Sequence, residues 1–177
     1  YLKGMLDDEN RYLNLGQSLG GVDIPHSGSK ILVDGVEQGI VEESEDNLTT
    51  LTQMYLLSSD FEAALEPALK VAEMSDSGDG YDTYGYVHYV LRNYQEAADA
   101  FQMAVDKGNL ANRADTLLFL SRALIEVDDF EGSTAAARQS SAIASSARRR
   151  TASAVSAPSP TAGNVLALNT ARTESRR

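Results

Sequence analysis

Residues 36–63, VEQGIVEESEDNLTTLTQMYLLSSDFEA, align without a gap on residues 105–132, VDKGNLANRADTLLFLSRALIEVDDFEG. The identical pairs are Val36/Val105, Gly39/Gly108, Asp46/Asp115, Leu48/Leu117, Leu51/Leu120, Asp60/Asp129, Phe61/Phe130 and Glu62/Glu131. A chain that repeats itself at a fixed offset folds as stacked supersecondary units, each burying its apolar face against the next. The offset is 69 residues, and a copy in between divides it into two units. Aligning 60-DFEAALEPALKVAE-73, 93-NYQEAADAFQMAVD-106 and 129-DFEGSTAAARQ-139 puts Phe61, Tyr94 and Phe130 in register, 33 and 36 residues apart. Each aromatic follows Asp60, Asn93 or Asp129, residue types that cap a helix N-terminus, and precedes Glu or Gln in the first turn.

The apolar spacing predicts helices over 8–20, 30–39, 45–58, 60–75, 79–91, 93–107, 113–127 and 129–143. The joint 20-GGVDIPHSGS-29 reads as a long loop, because it is rich in Gly, Pro and Ser. Ser44, with Glu45 and Asp46 behind it, suits a helix start, where carboxylates meet the positive end of the helix dipole. Gly39 and Gly108 read as C-caps. Paired helices that cross closely need Gly or Ala at the crossing and a large residue in the adjacent hole. Gly85 and Ala97 are the expected close-contact positions of one pair, with Tyr94 and Phe101 as fillers.

A period of about 34 residues with two helices per unit resembles the tetratricopeptide repeat. The third unit carries the likeness in Tyr81, Tyr84, Gly85, Tyr89, Tyr94, Ala97, Phe101 and Ala104, and the second in Leu48, Leu51, Tyr55, Phe61, Ala64, Ala68 and Val71. The fourth keeps Leu117, Leu120, Leu124 and Phe130 but has Ser133 in place of the signature Ala. A degenerate first unit shows Tyr12, Leu15, Gly16 and Leu19. The resemblance spans residues 9–143, with units near 9–44, 45–77, 78–113 and 114–143. It implies an all-α fold, a right-handed α-solenoid of about four helix hairpins, working as a non-catalytic interaction scaffold.

In that family the first helix of each pair lines a concave groove where peptides lie. Carried over by position, the groove would show Asn14 and Gln17, Thr49 and Gln53, Asp82, Tyr86 and Tyr89, then Phe119 and Arg122. Some members grip a C-terminal carboxylate through Lys and Asn at such positions. Thr49, Asp82 and Leu118 stand here instead, so that mode is not implied. The polar, aromatic and acidic mixture implies a protein or peptide partner with a neutral to basic segment. VEQGIVEE and VDKGNLAN are also similar to stretches of bacterial repeat proteins that accompany TonB-type systems. That narrower likeness would make envelope energy-transduction components the candidate partners and favour the periplasm over the cytoplasm. The alternative is a docking domain cut from a larger regulatory or envelope-assembly protein, since the chain begins at Tyr1 rather than Met.

Composition narrows the chemistry. There is no cysteine, which excludes disulfides, thiol nucleophiles and thiolate zinc sites, and only two histidines, His26 and His88. Residues 1–141 hold 9 Lys and Arg against 25 Asp and Glu, a net −16, which disfavours nucleic acid and anionic lipid as partners of this part. No apolar run approaches the ~18–20 residues needed to cross a membrane. Residues 142–177 hold 6 basic and 1 acidic residue, a net +5. The segment 144–177 turns to Ala, Ser, Arg and Pro and reads as a disordered tail, or one with a short helix over 161–177 whose Val165, Leu166 and Leu168 cap the array.

The remaining candidates for chemistry read as structure. His88, among Tyr84, Tyr86, Tyr89 and Asp82, reads as a packing or groove-lining side chain, and His26 as a surface loop residue. The run 76-DSGDGYD-82 puts Asp76, Asp79 and Asp82 at positions 1, 4 and 7 with Val87 at position 12, which does not match a calcium loop. The glycines of 16-GQSLGG-21 lack the Lys-Ser/Thr of a phosphate loop. Arg148–Arg150 reads as a solvated tail segment. No catalytic residue, metal site or cofactor is expected.

Overall fold

The computed structural model describes residues 7–21 and 24–156, with side chains as far as Arg150. Among the described residues there are eight α-helices and no strand: α1 (Glu9–Gly21), α2 (Pro25–Glu37), α3 (Glu45–Leu57), α4 (Phe61–Met74), α5 (Asp79–Val90), α6 (Tyr94–Lys107), α7 (Arg113–Glu126) and α8 (Phe130–Ser156). The chain divides between Ser141 and Ala142 into two units. In the first unit α1 to α6 each pack on the next helix in sequence, and α6 packs on α7. The first helices of successive pairs also touch, α1 with α3 and α5 with α7. Such neighbour-on-neighbour packing is that of an α-solenoid of helix hairpins.

One turn closes three of the hairpins. Ser59, Arg92 and Asp128 adopt positive φ, at 58°, 64° and 63°. The amide of each donates to the carbonyl three residues back, on Leu56, Tyr89 and Ile125. The following amide, of Asp60, Asn93 or Asp129, reaches five back to Tyr55, His88 or Leu124. These bonds satisfy the last carbonyls of the first helix and reverse the chain into the second. The same closure ends α2, where Gly39 takes φ 68° and the Ile40 amide reaches the Gly35 carbonyl. Asp60 and Asn93 hold the N-cap positions, but their side chains accept nothing from the helix, contrary to the capping expectation. The Asn93 amide turns instead to His88 Nδ1, 3.4 Å away. Asp129 does cap, accepting from the Gly132 amide at 2.9 Å, and Ser44 accepts from that of Asn47 at 3.3 Å.

Small residues set the helix crossings. A Cβ on Gly85 would lie 2.9 Å from the Phe101 ring, so the ring lies directly against bare backbone of α5. Ala97, Phe101 and Ala104 of α6 are fully buried, as the expected wall of that pair. Between α4 and α5, a Cβ on Gly80 would meet the Ala72 backbone at 2.7 Å.

Two expected boundaries move. Residues 20–29 are not a long loop: α1 runs to Gly21 and α2 begins at Pro25. Proline at the first helical position gives up an amide that would have no partner there, and its fixed φ suits the start. Gly28 and Ser29 are buried within α2, and a Cβ on Gly28 would come 2.6 Å from the Gly16 carbonyl. These small residues serve close helix packing rather than a turn. The second difference is α8, which continues past 143 to Ser156. Alanine is the strongest helix former and no proline intervenes before Pro158, so the segment stays helical without a core to bury. The expected capping helix over 161–177 lies outside the described residues.

The array becomes polar at its end. By the 69-residue register, Ser133, Thr134, Arg138 and Ser141 replace Ala64, Leu65, Leu69 and Ala72. The buried Ser121 and Ser133 hydroxyls satisfy each other at 3.0 Å.

Ala97→Leu should overpack the α5–α6 crossing and lower the urea unfolding free energy by about 1–3 kcal/mol. Arg92→Gly should raise it by about 0.5–1 kcal/mol, because glycine carries no steric penalty at positive φ.

Candidate functional site

Four of the expected groove residues meet around one ring. Phe119 of α7 lies edge-on to Tyr86 at 5.7 Å and to Tyr89 at 5.8 Å, both on α5. It stacks at 20° on Phe101 of α6, with centroids 5.8 Å apart. The Arg122 guanidinium sits 5.4 Å from the Phe119 centroid, a cation–π distance. Tyr89 also meets Tyr94 at 5.6 Å. Tyr86, 39% exposed, and the exposed Arg122 form the accessible rim of this cluster, while Tyr89 and Phe119 are half-buried.

The loops before α5 and α7 fix the spacing of these helices. The Gly78 amide donates to the Gly108 carbonyl at 2.7 Å, and Asp79 Oδ1 accepts from the Ala111 amide at 2.9 Å. Lys107 donates to the Ala72 carbonyl at 3.0 Å and lies over the Tyr81 ring. Asp79 of the run 76–82 is therefore a staple between two inter-repeat loops.

Asp82 does not stand open in the groove. It is largely buried beside Thr116, with one carboxylate oxygen buried and unpartnered. Burial pushes its carboxyl above the usual range, the Thr116 hydroxyl opposes the shift, and Asp79 and Asp115 add to it. The other expected positions fall in two further places. Thr49 and Gln53 line a cavity of about 100 Å³ shared with Thr83 of α5. Gln53 also shares a cleft of about 280 Å³ with Gln17. Asn14 is exposed on α1 and lines neither.

His88 is buried, packed edge-on to Tyr84 at 4.5 Å, with Nε2 unpartnered. Burial lowers its pKa and the nearby Glu96 opposes this. It holds no oriented acid–base partner, and its neighbours are those of a packing side chain. His26 is exposed, on the first turn of α2 rather than in a loop. Among the described residues no group of three or more His, Asp or Glu could hold a metal ion, and no helix is long and apolar enough to cross a membrane.

Thr116 was not among the sequence-derived candidates, and the roles of Phe101 and Phe119 differ from those expected. The 69-residue register pairs Phe119 with Thr50 and Arg122 with Gln53. That register would have separated Phe119 from Thr49 and Asp82, which belong one position away on their helices.

Asp82→Asn should melt at a higher temperature than the parent chain at pH 7. Because the folded-state carboxyl titrates above the unfolded one, its penalty is present at neutral pH and fades as pH falls. The gap between the two melting curves should close toward about pH 4.

No family model matches the chain, and no curated protein does. Solved structures of MamA share its fold. MamA MSR-1 superposes with a TM-score of 0.69 at 16% identity, covering 79% of this chain and 79% of that one. A second MamA crystal structure gives 0.71 at 13% identity, covering 84% and 85%. MamA AMB-1 gives 0.65 at 17% identity, covering 76% and 78%. At these identities the likeness is one of fold: an all-helical, tetratricopeptide-like array of hairpins.

Proposed function

We propose that the chain is a non-catalytic interaction scaffold that binds a protein or peptide segment across the face shared by α3, α5 and α7. The observation that carries this reading is the aromatic cluster of Tyr86, Tyr89 and Phe119 with Arg122 laid over it. Tyrosine and arginine anchor interfaces because they bring large contact area and hydrogen-bonding tips at low conformational cost. Phe101 and Tyr94 hold the cluster from behind, so its rings are ordered before a partner arrives. The cleft with Gln17 and Gln53 extends the face toward α1 and offers amides that can pair with a peptide backbone. The acidic balance of this part favours a neutral to basic segment.

An envelope energy-transduction partner rests on the likeness of 36–43 and 105–112 alone. Both stretches contain a glycine that ends a helix with positive φ, and that turn chemistry accounts for their similarity to each other.

Peptide-array binding to the intact chain tests the scaffold reading. Tyr86→Ala with Arg122→Ala should weaken the bound peptides by about tenfold or more, the loss of two interface anchors. Unchanged binding by a folded double variant would rule out this face.

A further inference from the structure

Two furrows of the first unit occupy the same place 69 residues apart. One lies between α2 and α4 over α3, the other between α6 and α8 over α7. Ten of the eleven residues lining the first have their 69-residue counterpart lining the second. The first furrow is closed by the chain's own side chains. Tyr55 and Pro67 line it, and Lys70 lies across it with its ammonium 2.8 Å from Glu43 and 3.1 Å from Glu66. It measures about 190 Å³.

In the second furrow every one of these large groups is reduced or removed. Tyr55 becomes Leu124, Pro67 becomes Ala136, Lys70 becomes Gln139 and Glu66 becomes Ala135. The space opens to about 560 Å³, within the range of roughly 300–1,000 Å³ found for ligand sites. The buried Leu117, Leu120 and Ala136 form its floor. Asp99, Asp106 and Asp129 stand on its walls against one cation, Arg113, whose guanidinium donates to the Val105 carbonyl at 2.9 Å. At 100° per residue, 117, 120 and 124 lie on the opposite side of α7 from 119 and 122. The furrow is therefore separate from the aromatic face and does not depend on it.

We propose that the α6–α8 furrow docks a lysine- or arginine-bearing segment of a partner protein. The closed furrow supplies the template, a lysine that shares its lining with Leu48 and Leu51 and has its charge held by the Glu43 and Glu66 carboxylates. The open one keeps that floor as Leu117 and Leu120, sets three carboxylates against the single Arg113, and has Gln139 where the closed one has Lys70. A basic side chain on a partner lays its stem on the floor and its charge against Asp99, Asp106 or Asp129.

The test titrates a fluorescein-labelled decapeptide of alternating lysine and leucine, with a glutamate–leucine control, against the full 177-residue chain at about 0.15 M salt. Leu124→Tyr with Gln139→Lys rebuilds the closed furrow and should weaken the lysine peptide by about tenfold or more. Asp99→Asn with Asp106→Asn changes only exposed carboxylates, so it keeps the fold, and should weaken it by about fivefold or more. Tyr86→Ala with Arg122→Ala should leave it within about twofold. Equal affinity of both furrow variants, equal binding of the glutamate peptide, or loss confined to the Tyr86/Arg122 variant would overturn the proposal. So would a dimer in sedimentation that the furrow variants dissociate, since the occupant would then be a second copy.

Discussion

The Phe101 ring lies against the bare backbone of Gly85, and much of the candidate site depends on that contact. The ring closes the α5–α6 hairpin at a distance that leaves no room for a Cβ at position 85. The ring also stacks on Phe119 of the next hairpin. Phe119 in turn orders Tyr86 and Tyr89 and carries Arg122. A single side chain thus couples packing within a repeat to packing between repeats and to the surface where a partner is proposed to bind. Aromatic pairs in such offset and edge-on arrangements add about 0.5–1.5 kcal/mol each beyond their area burial, enough to favour one arrangement of the exposed rim.

The helical pairs and their order could be read from the chain because the same physical demand recurs in it. A buried crossing tolerates little change, so Leu48/Leu117 and Leu51/Leu120 stay identical, and all four are buried. The places where the sequence misled are those where one residue type serves two purposes. Gly28 and Ser29 look like turn residues, yet they lie in a helix face that must approach Gly16. Asp60 and Asn93 look like caps, yet only Asp129 of the three equivalent positions accepts from its helix, although the same left-handed turn precedes all of them. The Ala- and Arg-rich run after 143 has no core to bury, but helix propensity does not require one.

The candidate site was less legible than the fold. Tyr86, Tyr89, Phe119 and Arg122 could be placed on first helices from the repeat register, and the structure gathers them at one ring. Their mutual contacts depend on Phe101 and Tyr94 of the second helix, which periodicity assigns only to the wall. Asp82 shows the limit clearly. Its position on α5 faces the next hairpin, where the Thr116 hydroxyl meets its carboxyl, a contact that periodicity along α5 does not show.

Divergence between the two 69-residue copies reaches both sides of the first helix of the pair. On α7, Phe119 and Arg122 replace Thr50 and Gln53 on one side, while Leu124 replaces Tyr55 on the other. The floor between them is unchanged in identity and burial. The same scaffold therefore presents an aromatic, cationic rim on one side of α7 and an open acidic furrow on the other. The corresponding sides of α3 carry Thr50 and Gln53 on one and the Tyr55, Pro67 and Lys70 filling on the other. Because each repeat contacts only its neighbours, such changes alter one surface without disturbing the rest of the array. A repeat chain can in this way keep one set of crossings and still differ along its length in what each face is able to hold.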